Sequence, residues 1–134
     1  MKYLLDTSVY SQPLKRFPLP GVIQKWKAVG DAACCISVFC ELEVLQEIRA
    51  VESSSLAEKY VKILKDRIPI LDFTPAEAKV FADLQADSIR NGRTRPVIDL
   101  CIAATALRHG CILATLNSRD FTDIPGLVVE DWGE

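Results

Sequence analysis

Ile98-Asp99-Leu100-Cys101-Ile102-Ala103-Ala104-Thr105-Ala106, followed after His109 by Gly110-Cys111-Ile112-Leu113-Ala114-Thr115-Leu116-Asn117-Ser118-Arg119-Asp120, decides the fold. The first part is apolar at nearly every position after Asp99 and reads as a helix over 96–109, stopped by Gly110. The second opens with a short apolar run over 111–115 that reads as a buried strand, then turns polar at Asn117. Helix, glycine and strand in that order make a helix that runs back antiparallel to the strand after it. The start of the helix and the end of the strand therefore lie at the same edge.

The same alternation extends outward in both directions. Residues 2–5 and 33–37 are apolar runs short enough for buried strands, and the first ends at Asp6. Helical spacing follows each, over 9–14 and 22–29 after the first, and at Val38, Leu42, Leu45 and Ile48 after the second. Ser53, Ser54 and Ser55 mark a break and a cap for a helix running to Arg67, and 69–73 reads as a short strand. Thr74-Pro75-Ala76-Glu77 is a helix start with cap, proline at the first helical position and glutamate three residues after the cap. That helix carries Ala78, Phe81, Ala82 and Leu84 on one face and ends near Asn91-Gly92; 127–129 reads as a final strand. Strands alternating with helices imply an α/β sandwich around a mostly parallel central sheet.

The bulk properties agree with one domain spanning 1–134. At 134 residues, 49% hydrophobic and 25% charged, the chain has an ordinary globular composition and enough length to bury a core without disulfide or metal staples. Asp99 interrupts the longest apolar run far short of the roughly 20 residues of a membrane span. Asp6 leaves no apolar stretch for a signal peptide, so the cytoplasm is the default location. Cys34, Cys35, Cys40, Cys101 and Cys111 contain no C-x-x-C pair and sit mostly among aliphatic neighbours, which reads as buried free thiols. His109, the lone histidine, precedes Gly110 and reads as a partner for the negative end of its helix.

In a sheet of this kind ligands bind at the carboxyl edge of the strands. Asp6 ends the first strand, Glu43 lies in the second turn of the helix leaving the second, Asp99 opens the helix over 96–109, and Asn117 and Asp120 follow its strand. Each acid alone has an ordinary role as a cap, dipole partner or turn residue. Together they conflict, because carboxylates about 4 Å apart repel by roughly 4 kcal/mol per pair at an effective dielectric near 20. Either protonation or a bound divalent cation relieves that repulsion. Hard oxygen donors suit Mg2+ or Mn2+ and disfavour zinc. The sequence has no G-x-x-x-x-G-K-[ST] or G-x-G-x-x-G loop, and Ser8 stands where an Asp6-nucleophile phosphatase carries its second aspartate.

With these residues in view, the chain resembles the PIN-domain ribonucleases, in particular the VapC-type toxins of bacterial toxin–antitoxin pairs, over nearly its whole length. The resemblance rests on Tyr3-Leu4-Leu5-Asp6-Thr7-Ser8, on Ile36-Ser37 with Glu43 six residues after the serine, and on the stretch from Ile98 to Phe121 ahead of Ile124-Pro125-Gly126-Leu127. It implies a three-layer α/β/α sandwich and divalent-metal-dependent hydrolysis of RNA phosphodiester bonds with Mg2+ or Mn2+. Asp6, Glu43, Asp99 and Asp120 would be the catalytic and metal-holding acids, with Asn117 as a polar neighbour and Thr7, Ser8 and Thr115 as supporting hydroxyls. Glu41 and Glu43 differ by about 200° around a helix and cannot both face the site; motif spacing selects Glu43, while contact with the metal is left open between Asn117 and Asp120. Lys15, Arg16, Arg90, Arg93 and Arg95 are the candidates for guiding the RNA backbone. The resemblance also implies a homodimer and a VapB-type antitoxin packed on apolar grooves, for which the helices at 21–29 and 55–67 are candidates. The rival reading is a catalytically silent module of the same fold that binds RNA or a protein.

Overall fold

The computed structural model describes residues 2–133. Its sheet is built from β1 (Tyr3–Leu5), β2 (Cys34–Ser37), β3 (Ile70–Leu71), β4 (Ile112–Thr115) and β5 (Val129–Asp131). Spatial order is β3-β2-β1-β4-β5 and each pairing is parallel, so the mostly parallel sheet expected from the sequence is parallel throughout. Six α-helices accompany it: α1 (Thr7–Tyr10), α2 (Pro20–Val29), α3 (Val38–Ala50), α4 (Ser54–Ile63), α5 (Pro75–Arg90) and α6 (Val97–His109). Parallel neighbours require crossovers, and these helices supply them between β1 and β4.

Strand alternation distributes the core between the two faces. Tyr3, Leu5, Cys34, Ile36 and Ala114 point to one side, where they meet Val22 and Trp26 of α2, Val44 and Ile48 of α3, and Tyr60 of α4. Leu4, Cys35 and Leu113 point to the other, against Leu84 of α5 and the fully covered stretch of α6 from Leu100 to Ala106. The result is a three-layer α/β/α sandwich. All five cysteines are buried free thiols inside it. No helix among the described residues is long and apolar enough to cross a membrane.

Local chemistry sets the helix ends. Thr74 caps α5 through Ala76 N at 3.2 Å while Glu77 returns to Thr74 N at 2.9 Å, the reciprocal box expected from the sequence. Gly110 ends α6 at φ 64°, a left-handed position that costs a side-chain-bearing residue roughly 1 kcal/mol or more. His109 Nε2 and Arg108 Nε each lie 3.9 Å from Glu77 Oε2, so the end of α6 meets the start of α5 at the edge opposite the strand carboxyl ends.

The strand expected over 69–73 is only Ile70–Leu71, and three further boundaries differ from the sequence reading. The helix expected over 9–14 is α1 followed by a 3-10 turn at Gln12–Leu14, because Asp6 caps at Val9 N and Pro13 lacks an N–H to continue an α-helix. The helix expected to reach Arg67 ends at Ile63: Leu64 and Ile68 turn into the core, and Asp66 takes a positive φ of 61°. The last strand lies at Val129–Asp131 instead of 127–129, because Gly126 at φ 78° and the bond from Leu127 N to Ile124 O extend the turn before it.

Candidate active site

The strand order reverses between β1 and β4, where the chain turns from building one half of the sheet to the other. Such a switch point opens a crevice at the carboxyl ends. Asp6 stands at the end of β1 and is buried, and the end of β4 closes over it. Asp6 N donates to Ala114 O at 3.0 Å, continuing the sheet register by one residue. Thr115 Oγ1 then donates to Asp6 Oδ2 at 2.5 Å, and Ser8 Oγ donates to Asp6 Oδ1 at 2.5 Å. Ser8 Oγ in turn accepts from Leu116 N at 3.0 Å, and Thr115 Oγ1 accepts from Asn117 N at 2.9 Å. Both hydroxyls thus bind the Asp6 carboxylate and a backbone amide of the opposite strand end.

Burial pushes the Asp6 carboxyl above the ordinary carboxylate range, and the hydrogen bonds from Ser8, Thr115 and Val9 N pull partly against it. Glu43 reaches the same region from α3, whose start is capped by the fully buried Ser37 through Phe39 N at 3.1 Å. Thr7 Oγ1 donates to Glu43 Oε1 at 2.5 Å and ties α3 to the residue after Asp6. Glu41 takes another direction and lines a groove with Leu45, Ile48 and Tyr60.

Asp99 enters from the first turn of α6 and is half-buried. Its pKa is pushed up to about 6, first by burial, then by the negative charges of Asp120, Glu43 and Asp6; Arg95 opposes the rise. Asp120, Glu43 and Asp6 thus lie close enough to Asp99 for their charges to act on it. Asn117 precedes the 3-10 turn Ser118–Phe121 and Asp120 lies on it; both are exposed, with Asp120 N donating to Asn117 O at 2.9 Å. Among the described residues, no three acidic, histidine or cysteine side chains stand close enough together to form a ready-made cation cage.

The basic residues divide. Arg93 and Arg95 lie beside Asp120, and Arg119, which was not among the sequence candidates, shares a cleft of about 220 Å3 with them. Arg93 and Arg95 engage protein acceptors: Arg95 Nη1 donates to Asp120 O at 2.8 Å and Arg93 Nη1 to Thr122 O at 3.0 Å. Arg90 is exposed in the last turn of α5. Lys15 and Arg16 line a different groove with Leu14, Val44, Glu47 and Leu56, on the side of α3 and α4. Sequence reasoning missed Ser37 as the buried cap that aims α3, and it missed the target of the arginines. For Ser37 the signal was available in a serine directly before helical spacing.

Fold and crevice define the class: a doubly wound α/β protein with a carboxylate-lined site at its topological switch point. A comparison with family profiles matches the PIN domain over residues 3–127, and the chain belongs to that family. It is 29% identical to Ribonuclease VapC2 of Haemophilus influenzae over 98% of both chains. It is 28% identical to the tRNA(fMet)-specific endonuclease VapC of Shigella flexneri, again over 98% of both. Among solved structures, the DNA-bound VapBC of Salmonella typhimurium superposes with a TM-score of 0.85 at 26% identity, covering 98% of each chain.

Proposed function

We propose that the protein is a divalent-metal-dependent endoribonuclease, the toxin of a VapBC-type pair, acting in the cytoplasm as a single domain. The observation that carries this reading is the buried Asp6 at the switch-point crevice, clasped by Ser8 and Thr115, with Glu43 tied beside it through Thr7 and Asp99 entering from α6. The negative charges around Asp99 outweigh the opposing Arg95, which is electrostatically costly, and an ion of double charge removes that cost.

The donor set fits Mg2+ or Mn2+. It consists of hard oxygens from Asp6, Glu43, Asp99 and Asp120, with Asn117 beside them, and contains no thiolate or imidazole. Mg2+ is usually held by one or two carboxylates plus waters and substrate phosphate, so a pre-closed cage of three acids is not required. When bound, the ion supplies an acidified water and charge neutralisation at the phosphodiester. The chain supplies the rest. Ser8 and Thr115 keep both Asp6 oxygens oriented, Thr7 fixes Glu43, and the buried strand ends prevent Asp6 from swinging out to solvent. No protein nucleophile is needed.

The relatives support RNA as substrate, and the Shigella flexneri protein makes transfer RNA the first class to test. They also support a VapB-type antitoxin as partner; a homodimer is what the family resemblance implies. An apolar groove of about 420 Å3 between α3 and α4, lined by Leu45, Ile48, Ala57 and Tyr60, suits an antitoxin segment. The other proposed grooved element, α2, instead buries Val22 and Trp26 in the core.

The deciding experiment is cleavage of cellular RNA and transfer RNA with Mg2+ or Mn2+ by wild-type, Asp6→Ala and Asp99→Ala proteins. Cleavage by the wild type alone, abolished by chelator, is expected. Activity surviving in both variants or in chelator would overturn the assignment, and inert wild-type protein that still retains RNA would favour the silent binding module.

A further inference from the structure

Two arginines just upstream of Asp99 reach across to the turn that bears Asp120. Arg95 Nη1 donates to Asp120 O at 2.8 Å, and its Nη2 donates to Thr122 O. Arg93 Nη1 donates to the same Thr122 carbonyl at 3.0 Å, while its Nη2 lies 3.1 Å from Asp123 Oδ2. Together the pair ties two backbone carbonyls and one carboxylate of a single short turn to the segment leading into α6.

We propose that Arg95, assisted by Arg93, is a positioning residue whose guanidinium fork holds the Asp120 turn against the start of the Asp99 helix. This rests on the nuclease reading insofar as Asp99 and Asp120 work together on RNA. Repulsion between those two carboxylates tends to drive the turn outward. Phe121 and Ile124 are buried and anchor one side of the turn, and Asn117 N and Ser118 Oγ donate to Thr115 Oγ1 and Asp131 Oδ2 at the other, but the exposed Asp120 between them has no such anchor. The arginine fork supplies it. Its planar donors match two carbonyls at once, which a lysine ammonium on a flexible stem does not. Pro96 follows directly and biases the Arg95 backbone toward the extended region. With Nη1 and Nη2 each engaged on a carbonyl of the turn, the Arg95 fork is committed to the turn, and its charge also lies near Asp99.

The test compares wild type, Arg95→Ala, Arg95→Lys and Arg93→Ala in RNA cleavage kinetics and in amide hydrogen exchange of 117–124. Arg95→Ala is expected to lower kcat by roughly 10- to 100-fold, the scale of a small misplacement of a reacting group. KM for RNA should stay within about threefold, since binding in the ground state is not what the fork supplies. Arg95→Lys, which keeps charge without the fork, should fall with Arg95→Ala, and both should exchange faster at Asp120 and its neighbours. Arg93→Ala should show a smaller effect of the same kind. If Arg95→Ala does not fold, Arg95→Lys carries the same comparison. Restoration of kcat by lysine, or a rise in KM with kcat intact, would make Arg95 an electrostatic RNA contact and overturn the proposal. Unchanged exchange of the turn in Arg95→Ala would overturn it as well. Wild-type protein that cuts no RNA would remove the nuclease reading, while the exchange measurement would still decide whether the fork holds the turn.

Discussion

Thr115 Oγ1 donates to Asp6 Oδ2 at 2.5 Å, joining the end of β4 to the end of β1 across 109 residues of chain. The bond lies at the point where the sheet reverses direction, and both partners are buried. Its loss leaves a buried carboxylate oxygen without its donor. That situation typically costs about 1–3 kcal/mol. Thr115→Val, which keeps the shape and removes the hydroxyl, is expected to lower the unfolding free energy by that amount, read as a lower urea midpoint at unchanged m, and to reduce RNA cleavage. Equal urea midpoints for the two proteins would show that the hydroxyl does not support Asp6.

Asp99 gives the metal-free protein a defined pH dependence. Its folded pKa of about 6 lies above its ordinary 3.8, so between those values the folded state holds more protons than the unfolded chain. Stability then falls as pH rises through this window. The raised pKa of Asp6 acts in the same direction. Glu77 acts oppositely: the hydroxyl of Thr74 holds its carboxyl below the ordinary 4.5, giving stability that is present above 4.5 and lost as pH falls through the lower folded value. Thermal melts in chelator should therefore show a higher Tm near pH 5 than near pH 7, and Asp99→Asn should flatten the difference. A Tm that climbs steadily from pH 5 to pH 7 would contradict this.

Cation binding should reverse the trend. At pH 7.5, added Mn2+ or Mg2+ neutralises the charges that destabilise the apoprotein, and an ion at one hundred times its Kd contributes about 2.7 kcal/mol. Scanning calorimetry should show Tm rising with Mn2+ and returning on chelation, and Asp99→Asn should blunt the response while itself melting higher than metal-free wild type. A wild-type Tm indifferent to both ions would count against the metal assignment.

The opposite edge of the sheet should be separable from the site. Thr74→Ala removes the cap of α5 and half of its reciprocal box, a loss of about 1 kcal/mol by precedent for such caps. RNA cleavage per folded molecule should be unchanged. A matching loss of kcat at temperatures where the variant is fully folded would mean that the α5–α6 pair transmits strain to the Asp99 end.

Much of the architecture was legible because it is local. The apolar run through Ala106, the stop at Gly110 and the Thr74 to Glu77 box are each settled within a few residues by backbone preference and capping chemistry. The boundaries that moved are those where burial outweighed local pattern: Leu64 and Ile68 leave a helical register to enter the core, and the turn at Gly126 delays the last strand. The acids at strand ends and helix starts were legible from topology, since a parallel sheet brings its carboxyl ends to one edge.

The partners of those acids were not legible. The chain by itself determined which segments become strands and helices and that the carboxylates of Asp6, Glu43, Asp99 and Asp120 share an edge, because hydrophobic period and handed crossovers leave little choice. Only the assembled structure decided that Thr7 meets Glu43, that Thr115 meets Asp6, and that Arg93 and Arg95 reach for carbonyls of the Asp120 turn. The reason is physical. A guanidinium or hydroxyl takes whichever acceptor folding leaves unpaired nearby, and the carbonyls of the Asp120 turn are free and within reach only once β4 lies beside β1 and α6 packs beneath them.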